Sequence, residues 1–177
     1  MVIISLGSNV TGSFQISSQA IQSACNQLKS FNIRVLDRSS FYLTEPYGVT
    51  NQPAFTNAAI TVQTTLSPYN LLTVIKKIEA NAGRKPGKRW IARTIDLDII
   101  DYNGLLLNYV KARCGDFTHH AGNLVLPHPG ISKRPFVLQP VIDIAPFWHH
   151  PVTGLTAAQM LKRLPINAPG RVLGVVG

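Results

Sequence analysis

At 177 residues and 45% hydrophobic, the chain can bury one sizeable core, which points to a single domain over 1–164 with a weakly patterned tail over 165–177. Seventeen basic against eight acidic residues leave a net charge of +9, which suits a polyanionic partner such as a nucleotide, a nucleic acid or an anionic membrane. Cys25 and Cys114 form no Cys-x-x-Cys pair, which argues against a disulfide scaffold or a zinc cluster, and the short apolar start Met-Val-Ile-Ile-Ser-Leu-Gly is neither a signal peptide nor a span, so a soluble cytoplasmic chain is expected.

Residues 2–6 are apolar and β-branched and read as a strand, closed by the turn cluster Gly7-Ser8-Asn9. A helix capped by Ser13 or Ser17 runs to about Lys29, with Ile16, Ala20, Ala24 and Leu28 on one face beside Ile21 and Cys25. Residues 33–42 form one strand, 44–53 a loop rich in turn formers, and 55–65 an alternating strand. Ser67-Pro68 starts a second helix with the apolar stripe Leu71, Leu72, Ile75 and Ile78, ended by Gly83. A basic loop occupies 84–93 and a strand follows over 94–102. The order βαββαβ is that of a ferredoxin-like α+β fold, an antiparallel sheet with both of these helices on one face. Beyond it come a hairpin-type turn at Asn103-Gly104, a short strand over 105–110, an exposed excursion over 111–123, and a rigid turn at Pro127-His128-Pro129-Gly130. A short helix over 132–144 broken by Pro140 and a helix over 156–164 capped by Thr156 complete a C-terminal extension.

Chemistry concentrates between Arg84 and Asp98. Arg84, Lys85, Lys88, Arg89 and Arg93 fall within ten residues, and Asp96 and Asp98 follow at once. On a strand, residues i and i+2 share a face, so the two carboxylates repel unless something positive sits between them. Magnesium, which takes one or two carboxylates and fills its octahedron with phosphates and water, meets that need. Arginines bind phosphate bidentately and stabilise a transferring phosphoryl group. Trp90 can close over a flat ligand. Against this stands a plain amphipathic strand beside a solvated charged loop, an even match for Asp-x-Asp alone, with the adjacent basic loop tipping the balance towards metal and phosphate. His128, fixed between two prolines, can reach a phosphate oxygen or serve structure only. His119-His120 and His149-His150 lack zinc-site spacing, and there is no Walker A pattern.

Several segments, in order, resemble the 6-hydroxymethyl-7,8-dihydropterin pyrophosphokinases of folate biosynthesis. They are Leu6-Gly7-Ser8-Asn9, Ser40-Phe41-Tyr42-Leu43-Thr44-Glu45-Pro46, Gln52-Pro53-Ala54-Phe55-Thr56-Asn57-Ala58, Ile78-Glu79 leading to Gly83-Arg84, Arg93-Thr94-Ile95-Asp96-Leu97-Asp98-Ile99, and Leu126-Pro127-His128-Pro129 followed by Arg134 and Phe136. The resemblance implies an ATP-dependent diphosphotransferase that moves the β,γ-pyrophosphoryl group of ATP to the hydroxymethyl group of the reduced pterin and releases AMP. It implies two Mg2+ ions held by Asp96 and Asp98, and catalytic roles for Arg84, Arg93, Asp96 and Asp98. Lys76, Glu79, Arg84, Trp90, Arg93, Ile99 (through its backbone), His128 and Arg134 would form the ATP site. Thr44, Glu45, Pro46, Tyr47, Phe55, Asn57, Asp96 and Phe136 would bind the pterin, with Phe55 and Phe136 stacking on it. Small molecules would be its partners, with no nucleic acid or membrane, and it would be a monomer. Where the family reads Trp-Gly-Pro-Arg-Thr, this chain has Trp90-Ile91-Ala92-Arg93-Thr94. Two other readings compete: a ferredoxin-like RNA-binding module, which shares the fold and charge but lacks the Gly-Phe-Gly-Phe type motif, and another Asp-x-Asp metal-dependent transferase or nuclease.

Overall fold

The computed structural model describes residues 1–9, 14–48, 52–83, 94–111, 117–119 and 124–176. In chain order the elements are β1 (Val2–Ser8), α1 (Phe14–Lys29), β2 (Arg34–Arg38), β3 (Phe41–Thr44), β4 (Phe55–Gln63), α2 (Pro68–Asn81), β5 (Asp96–Tyr102), β6 (Tyr109–Lys111), β7 (Phe117–His119), α3 (Pro135–Ile144), α4 (Ala157–Lys162) and β8 (Val172–Val176). The main sheet runs β5-β1-β4-β3-β8, with β2 also paired to β4, and every pairing is antiparallel. The expected ferredoxin-like core is present, and the sheet is α+β as read.

Both sheet faces are covered, by different helices. Val2, Ile4 and Leu6 of β1, Ala58, Ile60 and Val62 of β4, and Leu97 and Ile99 of β5 point to one side. There they pack against Ile21, Ala24, Cys25 and Leu28 of α1 and Leu71, Ile75 and Ile78 of α2. Each fully buried aliphatic side chain contributes about 1.5–3 kcal/mol. The α1 stripe is rotated from the expected one: Ile16 is exposed, and the helix begins at Phe14, so Ser17 lies buried inside it rather than at its cap. Ser67 caps α2 as read, its side chain accepting from Asn70 N at 3.3 Å. On the opposite face, Ile3, Ala59 and Ile100 pack under Val137, Leu138 and Val141 of α3 and Met160 of α4.

Four expectations need correction. The strand over 33–42 is two strands, β2 and β3, because Ser39 turns inward: its Oγ accepts from Ala59 N at 3.0 Å and donates to Ser40 O at 2.7 Å. Pro140 does not break α3; the helix runs through it to Ile144, its first turn set by Pro135. Pro140 is itself buried, on the flank of α3 that also carries Val137, Leu138 and Val141. The excursion over 111–123 carries the hairpin strand β7, paired to β6. The weakly patterned tail holds β8, which pairs with β3 and extends the sheet. The Thr156 cap of α4 is present as a full capping box with Gln159. Among the described residues, no helix is long and apolar enough to cross a membrane.

Candidate active site

The sheet face that α3 and α4 cover at one end is open at the other. Along β1 that face reads Ile3, Ser5, Gly7; along β4 it reads Asn57, Ala59; along β5 it reads Asp96, Asp98, Ile100. Strand register sets Asn57 opposite Gly7 and Gly7 opposite Asp96, with Ser5 flanked by Ala59 and Asp98. Ile3, Ala59 and Ile100 are core. Ser5, Gly7, Asn57, Asp96 and Asp98 instead line a cavity of about 310 Å³. Period-two alternation thus gives one face two roles, decided by where the covering helix stops.

Gly7 is a requirement of this floor. A Cβ there would lie 2.7 Å from Asn57 Oδ1. The Asn57 amide, itself buried, therefore lies across β1 and donates from Nδ2 to Thr44 Oγ1 at 2.7 Å. Thr44, Glu45, Tyr47, Phe55 and Phe136 line the cavity around it, and the Tyr47 and Phe136 rings meet at 5.4 Å between centroids, tilted by 58°. This end presents aromatic faces and a fixed amide, which suits a flat, polar ring.

The other end is charged. The turn after Pro127 is tied to β5 by His128 N donating to Ile100 O at 2.8 Å. That directs the His128 ring at Asp98, with Nε2 3.9 Å from Oδ2. Its Nδ1 accepts from Gly130 N at 3.0 Å, which leaves the proton of the neutral ring on Nε2. Burial holds the His128 pKa below the ordinary value, against the pull of Asp98 and reinforced by Arg134. Arg134 Nη1 lies 3.5 Å from Asp98 Oδ2, and its guanidinium sits 5.7 Å from the Tyr47 ring centroid and 5.9 Å from that of Phe136. Arg134 therefore joins the charged and aromatic ends. Asp96 and Asp98 are half-buried, hard oxygen donors on one face of an edge strand, which fits a magnesium ion that also takes phosphate oxygens.

Buried Glu79 stands behind β5. Its Oε1 accepts from Leu97 N at 2.9 Å, between the two aspartates, and its Oε2 pairs with Lys76 Nζ at 2.9 Å. Lys76 lines the cavity; Glu79 does not. Ser8 Oγ donates to Thr94 O at 2.7 Å, and Asn9 Nδ2 to Gln52 Oε1 at 3.1 Å, so the end of β1 holds the starts of two neighbouring segments.

Of the residues expected at the site, Thr44, Glu45, Tyr47, Phe55, Asn57, Lys76, Asp96, Asp98, His128, Arg134 and Phe136 line this cavity. Pro46 is half-buried in the loop between two lining residues, and the Ile99 side chain is in the core under α1 and α2. Arg84, Trp90 and Arg93 lie outside the described residues. Ser5, Leu6, Gly7 and Gln52 also line the cavity, beyond the residues expected there. Glycine inside a strand signals close approach of another group, and reading Gly7 as a turn hid that signal.

An antiparallel α+β domain with a cleft that is charged at one end and aromatic at the other defines a small-molecule enzyme class. Residues 3–146 match the family described as 7,8-dihydro-6-hydroxymethylpterin-pyrophosphokinase (HPPK), and the chain belongs to that family. It is 38% identical over 169 residues to the 2-amino-4-hydroxy-6-hydroxymethyldihydropteridine pyrophosphokinase of Methylorubrum extorquens, covering 96% of each chain. It is 40% identical over 144 residues to a folate synthesis bifunctional protein of Arabidopsis thaliana, covering 81% of this chain but 26% of that one. The chain likewise spans only 20% of the Pneumocystis carinii folic acid synthesis protein fol1, at 36% identity. A solved HPPK-DHPS structure in complex with substrates shares the fold, with a TM-score of 0.64 at 13% identity over 91% of this chain and 42% of that one.

Proposed function

We propose that this chain transfers the β,γ-pyrophosphoryl group of ATP to the hydroxymethyl group of 6-hydroxymethyl-7,8-dihydropterin, giving AMP and the pterin pyrophosphate ester, a step of tetrahydrofolate biosynthesis. The observation that carries this reading is the juxtaposition in one cavity of the Asn57–Thr44 pair and the Tyr47, Phe55 and Phe136 rings with Asp96, Asp98, His128, Arg134 and Lys76. Family membership supports it.

In this reading Phe55 and Phe136 hold the pterin ring and the Asn57 amide reads its edge, its orientation already fixed by Thr44. The hydroxymethyl group then points along the floor towards Asp96 and Asp98. Asp96 and Asp98 would hold two magnesium ions, which when bound neutralise triphosphate charge. Arg134, His128 and Lys76 orient the phosphate oxygens by charge and hydrogen bonding, with Arg84 and Arg93 of the basic loop assigned the same task. Such a transfer needs positioning and charge neutralisation rather than a covalent nucleophile. Glu79 holds Lys76 and the β5 backbone in register, and so supports the ATP end of the cavity.

The test is product analysis with ATP, Mg2+ and the hydroxymethyl pterin. AMP is the expected nucleotide product; ADP, or no pterin-dependent AMP, overturns the assignment. Asp96→Asn and Asp98→Asn should each lower the rate at least about a hundredfold while the thermal midpoint holds, and near-normal rates in either would remove its assigned role.

A further inference from the structure

The segment entering β8 lies beyond residues 3–146, which the family matches, yet it touches Glu45, Tyr47 and Phe136 at the aromatic end of the cavity. Arg171 clasps Glu45 bidentately, with Nε 3.1 Å from Oε2 and Nη2 on Oε1. The backbones are joined as well: Glu45 N donates to Arg171 O at 2.9 Å, and Val172 continues the ladder opposite Thr44. Gly170 has φ +76°, and a Cβ there would stand 2.6 Å from Phe136 Cδ1 and 3.4 Å from Tyr47 Cδ2. Its backbone is thus in close contact with the two rings whose mutual packing walls the cavity. Just upstream, Ala168 is buried and its N–H donates to Pro165 O at 2.9 Å, which holds the segment down.

We propose that Gly170 and Arg171 are positioning residues for the pterin. Gly170 sets how far the Phe136 and Tyr47 rings can retreat, and Arg171 holds the Glu45 end of the 44–48 wall. Together they set affinity and selectivity for the flat heterocycle without touching the phosphates. The cause is geometric: Gly170 and Arg171 meet Phe136, Tyr47 and Glu45 at the aromatic end, whereas Asp96, Asp98 and Lys76 line the charged end of the cavity. This rests on the pyrophosphokinase reading above.

The experiment compares the full chain with Gly170→Ala, Arg171→Ala and Arg171→Lys. Steady-state kinetics should show the KM for the hydroxymethyl pterin rising on the order of tenfold in Gly170→Ala and Arg171→Ala, with kcat and the KM for ATP within about twofold. Arg171→Lys, which keeps one charged contact to Glu45, should recover part of the loss. Amide hydrogen exchange of Arg171→Ala should speed up at Glu45 and leave β1 and β5 unchanged. A faster Glu45 amide with an unaltered pterin KM would make the contact structural only and overturn the proposal. So would equal rises in both KM values, or unchanged exchange. Should Gly170→Ala fail to fold, the Arg171 pair decides. A wild-type chain that makes no AMP from the pterin overturns the functional reading itself, an outcome distinct from active variants with unmoved KM values.

Discussion

Gly7→Ala is the sharpest test of how the cavity floor is built. The new methyl would lie 2.7 Å from Asn57 Oδ1, so that atom must retreat by about 0.7 Å to reach ordinary contact. It has little freedom, because Asn57 is buried in β4 and its other end donates to Thr44 Oγ1. Two effects oppose each other in stability. Alanine in a strand gains about 0.5–1 kcal/mol over glycine, while disturbing a buried hydrogen bond costs about 1–3 kcal/mol. The net is a small destabilisation, a fall of a few degrees in thermal midpoint. Pterin binding should suffer more. If the Asn57 amide reads the ring edge as proposed, displacing it removes one or two hydrogen bonds, about 1–3 kcal/mol, or roughly 5- to 150-fold in KM. ATP should bind as before. The decisive assay is a double-mutant cycle with Asn57→Ala, reading pterin KM. If Gly7→Ala acts through Asn57, it adds almost nothing once that side chain is gone. Additive losses would refute the reasoning, and so would an unchanged pterin KM in Gly7→Ala alone.

Further predictions concern the support of the site and the core. Glu79→Ala leaves Leu97 N buried without its acceptor and should cost about 1–3 kcal/mol in a urea melt, whereas Glu79→Gln, which retains an acceptor, should cost less; equal losses would point to the Lys76 contact instead. His150 is buried, its Nδ1 accepts from Val152 N and Thr153 N at 3.2 and 3.3 Å, and burial lowers its pKa. Because the unfolded chain binds the proton more readily, stability should fall as pH drops below about 6.5, and His150→Asn should remove part of that slope in urea midpoints measured from pH 7.5 to 5; an identical slope would sink the assignment. Burial raises the Cys25 thiol pKa to about 11, so in a Cys114→Ser background it should stay unreactive towards Ellman's reagent at pH 8 until denaturant is added. Ready labelling of the native protein would contradict that packing.

The parts legible in the sequence were those with local causes. The α2 cap at Ser67-Pro68, the Thr156 box and the same-face geometry of Asp96 and Asp98 each follow from a few adjacent residues. The Ser39 break was invisible because it depends on the Ala59 backbone across the sheet. The rotation of α1 could not be read from spacing alone: Ile16 and Ile21 are equally apolar, and only packing against the sheet chooses between them. Family resemblance located most of the cavity lining, but not Gly7, whose role appears only when Asn57 lies across it. Arg171 and Gly170 gave no signal, since an arginine and a glycine near a chain end carry no pattern until β8 docks on β3.

Helix α3 has one foot in each compartment. Arg134 at its N-cap and Phe136 in its first turn face the cavity, while Val137, Leu138 and Val141 are wedged between the sheet and α4. A close-packed interior moves as a unit, so a methyl added or removed behind α3 is felt at its tip. Ligand preference in this protein can therefore drift through substitutions that never meet a ligand. A selection for altered pterin analogues should return α3 core variants alongside cavity ones, and a resistance map confined to lining residues would miss them.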